Sequence, residues 1–245
     1  KDAFAAAVPA KCAGVTFADA ASDAGLDYGA DHVFAACGGQ VAGFTALGAC
    51  LASRHSCTAA RITSRALPGM RALMSDAGIP SEMIDALPCL VSGAGVVDAA
   101  TAAQIAQCAK AAGKATTKLA GTVYESLVKC HETLLACVER QPDDAKCRPK
   151  ARRTCNGLLA KITDGRAALE AAVAGKCTDT AGATLAADDG GDGGESESAY
   201  ATGLAESTVC SAMEAVALAA PRSTAMLRLG GITFDSAPCP ASSMR

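Results

Sequence analysis

Cysteine thiols are the most reactive nucleophiles in this chain, and they are numerous. Thirteen stand among its 245 residues, against three histidines. A thiol can ligate a metal, attack an electrophile or oxidise to a disulfide, and spacing separates these uses. No C-x-x-C occurs, so the ligand spacing of zinc ribbons and the attachment motif of c-type haem are both absent. His32, His55 and His131 fit neither H-E-x-x-H nor H-x-x-x-H. G-x-S-x-G and the P-loop are missing, and Gly93-Ala94-Gly95 lacks the third glycine of a dinucleotide fingerprint. His55 is expected to face solvent. No catalytic, cofactor-binding or metal-ligating residue is expected, and no cofactor. The thiols are expected to be consumed as disulfides in an oxidising compartment.

Six of the cysteines form a mirror. Cys108, Cys130 and Cys137 approach a centre near Pro142, and Cys147, Cys155 and Cys177 leave it. Outermost paired with outermost, the position numbers add to 285, 285 and 284. A constant sum is what an antiparallel hairpin demands of residues facing each other. The expected bridges are Cys108–Cys177, Cys130–Cys155 and Cys137–Cys147.

Helices must position them. Ile105, Cys108, Ala112, Ala115 and Leu119 continue through Val123, Leu127, Cys130, Leu134 and Cys137 in steps of three and four. The return arm reads Ala151, Cys155, Leu158, Ile162, Leu169, Val173 and Cys177. Disulfides need Cα atoms about 4.4–6.8 Å apart, whereas helix axes lie about 8–10 Å apart, the near limit needing small side chains. Abundant alanine supplies that closeness. Pro142 and Asp143-Asp144 make the turn, and Pro149 predicts a helix start nearby, leaving Cys147 in the tip loop.

An internal repeat flanks the hairpin. Cys57 is followed by Pro68, Gly78 and Ile79, and Cys210 by Pro221, Gly231 and Ile232 at the same offsets. Each copy then reaches a Pro-Cys, at Cys89 and Cys239. Equivalence predicts Cys57–Cys89 and Cys210–Cys239. Of Cys12, Cys37 and Cys50, one must stay unpaired or pair outside the chain.

The charge is uneven. Net charge is −3, yet residues 105–177 hold thirteen basic and seven acidic groups. Lys146, Arg148, Lys150, Arg152 and Arg153 cluster at the tip, and Asp188, Asp189, Asp192, Glu195 and Glu197 in a Gly/Ser-rich loop. Opposed poles suit head-to-tail association of copies. An anionic polysaccharide is a further candidate for the tip. Nucleic acid is disfavoured by compartment and by the lack of aromatics there. The loop fails the EF-hand calcium template, whose acidic twelfth position falls on Ala199 or Tyr200. No apolar run is long enough for a membrane span. Lys1-Asp2-Ala3 lacks an export signal, which reads as a mature form.

The stretch KCHETLLACVERQPDDAKCRPKARRTCNGLLAKI, residues 129–162, resembles a module of uncharacterised secreted, Ala/Cys-rich helical proteins of environmental bacteria. The resemblance covers mainly 105–177. It implies export and bridged Cys130, Cys137, Cys147 and Cys155, and it carries over no activity.

The expected fold is all-α: a disulfide-stapled long antiparallel helical hairpin projecting from a helical base of two related Cys-Pro-Gly-Ile segments. Its parts are an N-terminal region (1–95, with repeat copy 43–89), the hairpin (96–180), an acidic loop (181–199) and the second copy (200–245) on the N-terminal region. The expected function is that of a secreted, non-enzymatic structural protein of the bacterial cell surface, periplasm or exterior, self-assembling into a fibre or layer. The alternative is a secreted carrier holding an apolar small molecule between helices.

Overall fold

The computed structural model describes residues 2–22, 26–29, 31–39, 41–67, 69–87, 89–90, 99–188, 196–232 and 239. The chain is all-α: the described residues form eleven helices and no strand. These are α1 (Asp2–Lys11), α2 (Phe17–Ala21), α3 (Asp31–Cys37), α4 (Phe44–Ala66), α5 (Met70–Asp76), α6 (Ser81–Asp85), α7 (Ala99–Glu139), α8 (Cys147–Ala174), α9 (Asp179–Asp188), α10 (Glu197–Ala219) and α11 (Ser223–Leu229).

The antiparallel pair is α7 and α8. No proline interrupts the 41 residues of α7, which run for about 60 Å at 1.5 Å per residue. The turn is local chemistry. Asp144 N–H donates to the Gln141 carbonyl at 3.2 Å, and the Asp144 carboxylate accepts the Lys146 N–H at 2.8 Å. Cys147 is the first residue of α8, not a loop residue as its neighbour Pro149 suggested. Pro149 then falls in the first turn, where its missing N–H would have had no partner inside the helix.

The buried line along α7 departs from the apolar seam at one turn. Thr116 is buried, at 1% exposed, and Ala115 is only half-buried. Buried positions 105, 116 and 127 therefore fall eleven residues apart. That rhythm is about 3.67 residues per turn, close to a straight helix, and the period outranks side-chain type.

The repeat is reproduced to the residue. α4 and α10 each have 23 residues, α5 and α11 each have seven, and every boundary in the second copy lies 153 positions after its counterpart. Both short helices end alike. Gly78 (φ +75°) donates its N–H to the Ser75 carbonyl, and Ile79 to Met74. Gly231 (φ +64°) donates to Arg228, and Ile232 to Leu227. This is the Schellman stop, whose left-handed residue favours glycine.

The chain divides into two compact units: residues 1–56, 123–161 and 212–245, and residues 57–122 and 162–211. The division cuts across the hairpin, and not at its ends near 95 and 180. The reason is burial: each half of the hairpin packs against different helices. In the first unit the tip half is not a bare projection. Cys130, Leu134, Cys137, Ala151 and Cys155 share one core with Met226 of α11 and with Ile232. Arg152 Nε donates to the Gly230 carbonyl at 2.7 Å. A second core there joins Val33, Val41, Leu47, Leu51 and Leu218. Tyr28 Oη donates to the Ala219 carbonyl at 2.7 Å. In the other unit Leu119, Leu169, Val173, Leu185 and Leu204 are buried. There a Cβ on Gly165 would lie 3.0 Å from the Leu119 side chain, which measures how closely the arms approach.

Candidate functional site

The disulfides are built from the seam upward. Cys137–Cys147 and Cys130–Cys155 have Cα separations of 5.6 and 4.9 Å in the first unit. Cys108–Cys177, at 4.6 Å, lies in the second. Cys108, Cys130 and Cys155 are fully buried. Each bridge removes about 3–4 kcal/mol of unfolded-chain entropy by loop-closure arithmetic, an upper figure. Beyond the hairpin, Cys57 bonds to Cys89, and Cys37 to Cys50. Cys210 and Cys239 are each disulfide-bonded as well. Cys12, half-buried, is the free thiol.

The surroundings of two histidines are described, His55 and His131. The His32 side chain lies outside the described residues. His55 does not face open solvent. It meets Phe4 and Tyr124 edge-on, with ring centroids 5.8 and 6.3 Å apart, and its Nε2 is buried without a hydrogen bond. Burial holds its pKa below the ordinary histidine value, so the ring is an aromatic packing element. His131 lines a hollow of about 300 Å³ in the first unit with Tyr28, Tyr124, Glu132 and Arg222. Burial lowers its pKa first, Glu132 and Glu139 oppose that shift, and Arg222 adds to it. Among the described residues, no three His, Cys, Asp or Glu side chains gather where a metal could bind.

The charged poles differ in what they show. Lys146, Arg148, Lys150 and Arg153 are exposed, and none pairs with a carboxylate among the described residues. Arg152 stands apart, its guanidinium spent on Gly230. Asp188 ends α9 and Glu197 begins α10, whereas Asp189, Asp192 and Glu195 lie outside the described residues.

One groove lies between helices at residues that the sequence had not singled out, although an apolar cleft between helices was the alternative expectation. It occupies about 520 Å³ in the second unit, between Leu67 at the end of α4 and a face of α7. Ala106, Ala109 and Gly113 form its α7 wall, and Lys110 and Lys114 its charged edge. No spacing in the sequence marked it: the seam read from apolar residues ran through Ala115, whereas the structure buries Thr116.

No protein-family model, no curated protein and no solved structure matches the chain. No helix among the described residues is long and apolar enough to cross a membrane.

Proposed function

We propose that this is an exported, non-enzymatic structural protein that assembles with copies of itself into a fibre or surface layer. The observation that carries the reading is the tip. Four exposed cations, Lys146 at the end of the turn and Arg148, Lys150 and Arg153 in the first two turns of α8, stand at a tip tied by two disulfides and have no carboxylate partner among the described residues. A compact cationic pole needs an anionic surface, and residues 188–197 of another copy carry five acidic groups. Fields of this kind steer and orient association. Contacts between unlike surfaces propagate into filaments or rings. Export is supported by twelve oxidised cysteines, which a reducing cytosol would not sustain.

Sedimentation velocity over a concentration series tests this. Association should grow with concentration at low salt and weaken at high salt, because exposed charges are screened beyond about 10 Å at 0.1 M. The quadruple variant Lys146→Glu, Arg148→Glu, Lys150→Glu, Arg153→Glu should remain monomeric with unchanged helicity. A discrete wild-type monomer at every concentration and salt would overturn the reading.

A further inference from the structure

We infer that the hollow between α7 and the end of α10 binds a small neutral aromatic alcohol, a phenol. It lies wholly within the first compact unit and shares no residue with the cationic tip, so it is independent of the assembly proposed above. Its volume, about 300 Å³, sits at the small end of the range for small-molecule sites, which suits one ring and little more. One wall is a single face of α7, where Tyr124, Val128, His131 and Leu135 recur in steps of four, three and four. Tyr28 and Pro221 supply another. The two tyrosine rings are held before any ligand arrives. The Tyr28 hydroxyl donates to the Ala219 carbonyl at 2.7 Å, and the Tyr124 ring meets His55 edge-on. Leu26 and Tyr124, both lining residues, are 39% and 37% exposed, and a bound ring would cover that apolar surface. The repeat shows where the space comes from. Ala220 follows α10 at the position where Leu67 follows α4, 153 residues earlier. The Leu67 side chain reaches α7, lying 3.6 Å from where a Cβ on Gly113 would be. Ala220 carries only a methyl group, and it lines the hollow.

His131 selects the polar group. It is half-buried, lines the hollow and makes no hydrogen bond among the described residues. Burial holds its pKa below the ordinary histidine value, so the ring is neutral at pH 7. A neutral imidazole has one nitrogen that donates and one that accepts, the same two capacities as a hydroxyl group. Glu132 and Arg222 line the hollow with opposite charges and push the His131 pKa in opposite directions. A charged ligand group therefore gains from one and is repelled by the other, and it must also shed its water. A neutral hydroxyl escapes both costs.

Calorimetry of the oxidised, full-length protein with phenol, toluene, benzoate and benzylammonium tests the site. One phenol should bind per chain, with a dissociation constant of about 1 mM or tighter. Toluene should bind about fivefold more weakly, the scale of one hydrogen bond. Both charged probes should also bind more weakly than phenol. His131→Leu should erase the preference for phenol over toluene while toluene still binds, a split that a merely structural histidine would not give. Ala220→Leu installs the side chain of the first copy and should weaken phenol by about tenfold or more, because the leucine takes the place of the ring. Circular dichroism should record unchanged helicity in both variants. The inference is overturned if the folded protein takes up no phenol, if toluene binds as tightly, or if either charged probe binds more tightly. It is also overturned if His131→Leu keeps the preference, or if folded Ala220→Leu takes up phenol as before, which would put the ring elsewhere.

Discussion

Gly231 and Gly78 occupy the same step of the two repeat copies, yet they should tolerate substitution differently. Both are left-handed, so a side chain at either costs about 1–2 kcal/mol. Around Gly78 there is open space, but a Cβ on Gly231 would overlap the Arg152 guanidinium at Nη2. Arg152 must then move and give up its bond to the Gly230 carbonyl, adding about 1 kcal/mol. Gly231→Ala should therefore lower denaturant stability clearly more than Gly78→Ala, with Arg152→Ala narrowing the gap. His55 is the second residue-scale case. Burial lowers its folded pKa below the unfolded value. Above about pH 6.5 the ring is neutral in both states and imposes no penalty. As pH falls through 6.5 the unfolded chain takes up a proton that the folded chain resists, so stability falls toward the folded pKa. Unfolding at pH 7.5 and 5.5 should show this loss, and His55→Phe, which keeps the edge-on contacts with Phe4 and Tyr124, should reduce it.

At the scale of elements, the hairpin depends on its staples because small side chains bury little area each. Removing Cys130–Cys155 by a double change to alanine should cost about 3 kcal/mol or more, since loop entropy returns and two fully buried sulfurs leave space behind. Removing Cys137–Cys147, ten residues apart, should cost less. Guanidinium unfolding of both variants checks the order. The nested pairing was legible because antiparallel geometry leaves a numerical trace in the position numbers. Thr116 was not, because a seam read by apolarity skips a threonine that the helical period requires to be buried. Cys147 was misplaced by one element, since a proline close to a helix start does not say which residue begins the helix.

For the whole molecule, the thiol inventory gives a direct check. Alkylation of the unfolded, unreduced protein should label one cysteine per chain, Cys12, and prior reduction should raise the count to thirteen. A second label before reduction would mean that one bridge is absent. The molecule also shows why the hairpin does not stand clear. Met226 and Ile232 are apolar and must bury somewhere, and the tip half of α7 and α8 offers Leu134 and Ala151 as the surface. Exposed large apolar side chains would otherwise remain at the end of the second copy.

The sequence by itself determined the helical class, the oxidised state expected of the cysteines, the hairpin register and the repeat. Each is written in periodic or mirrored spacing, and local geometry reads spacing directly. Tertiary structure alone decided that the second copy's exit covers the tip, that Arg152 caps a carbonyl rather than joining the free cations, and that α4 leaves a groove against α7. These outcomes depend on which surfaces meet after the chain has folded back on itself, and no interval between residues encodes that meeting.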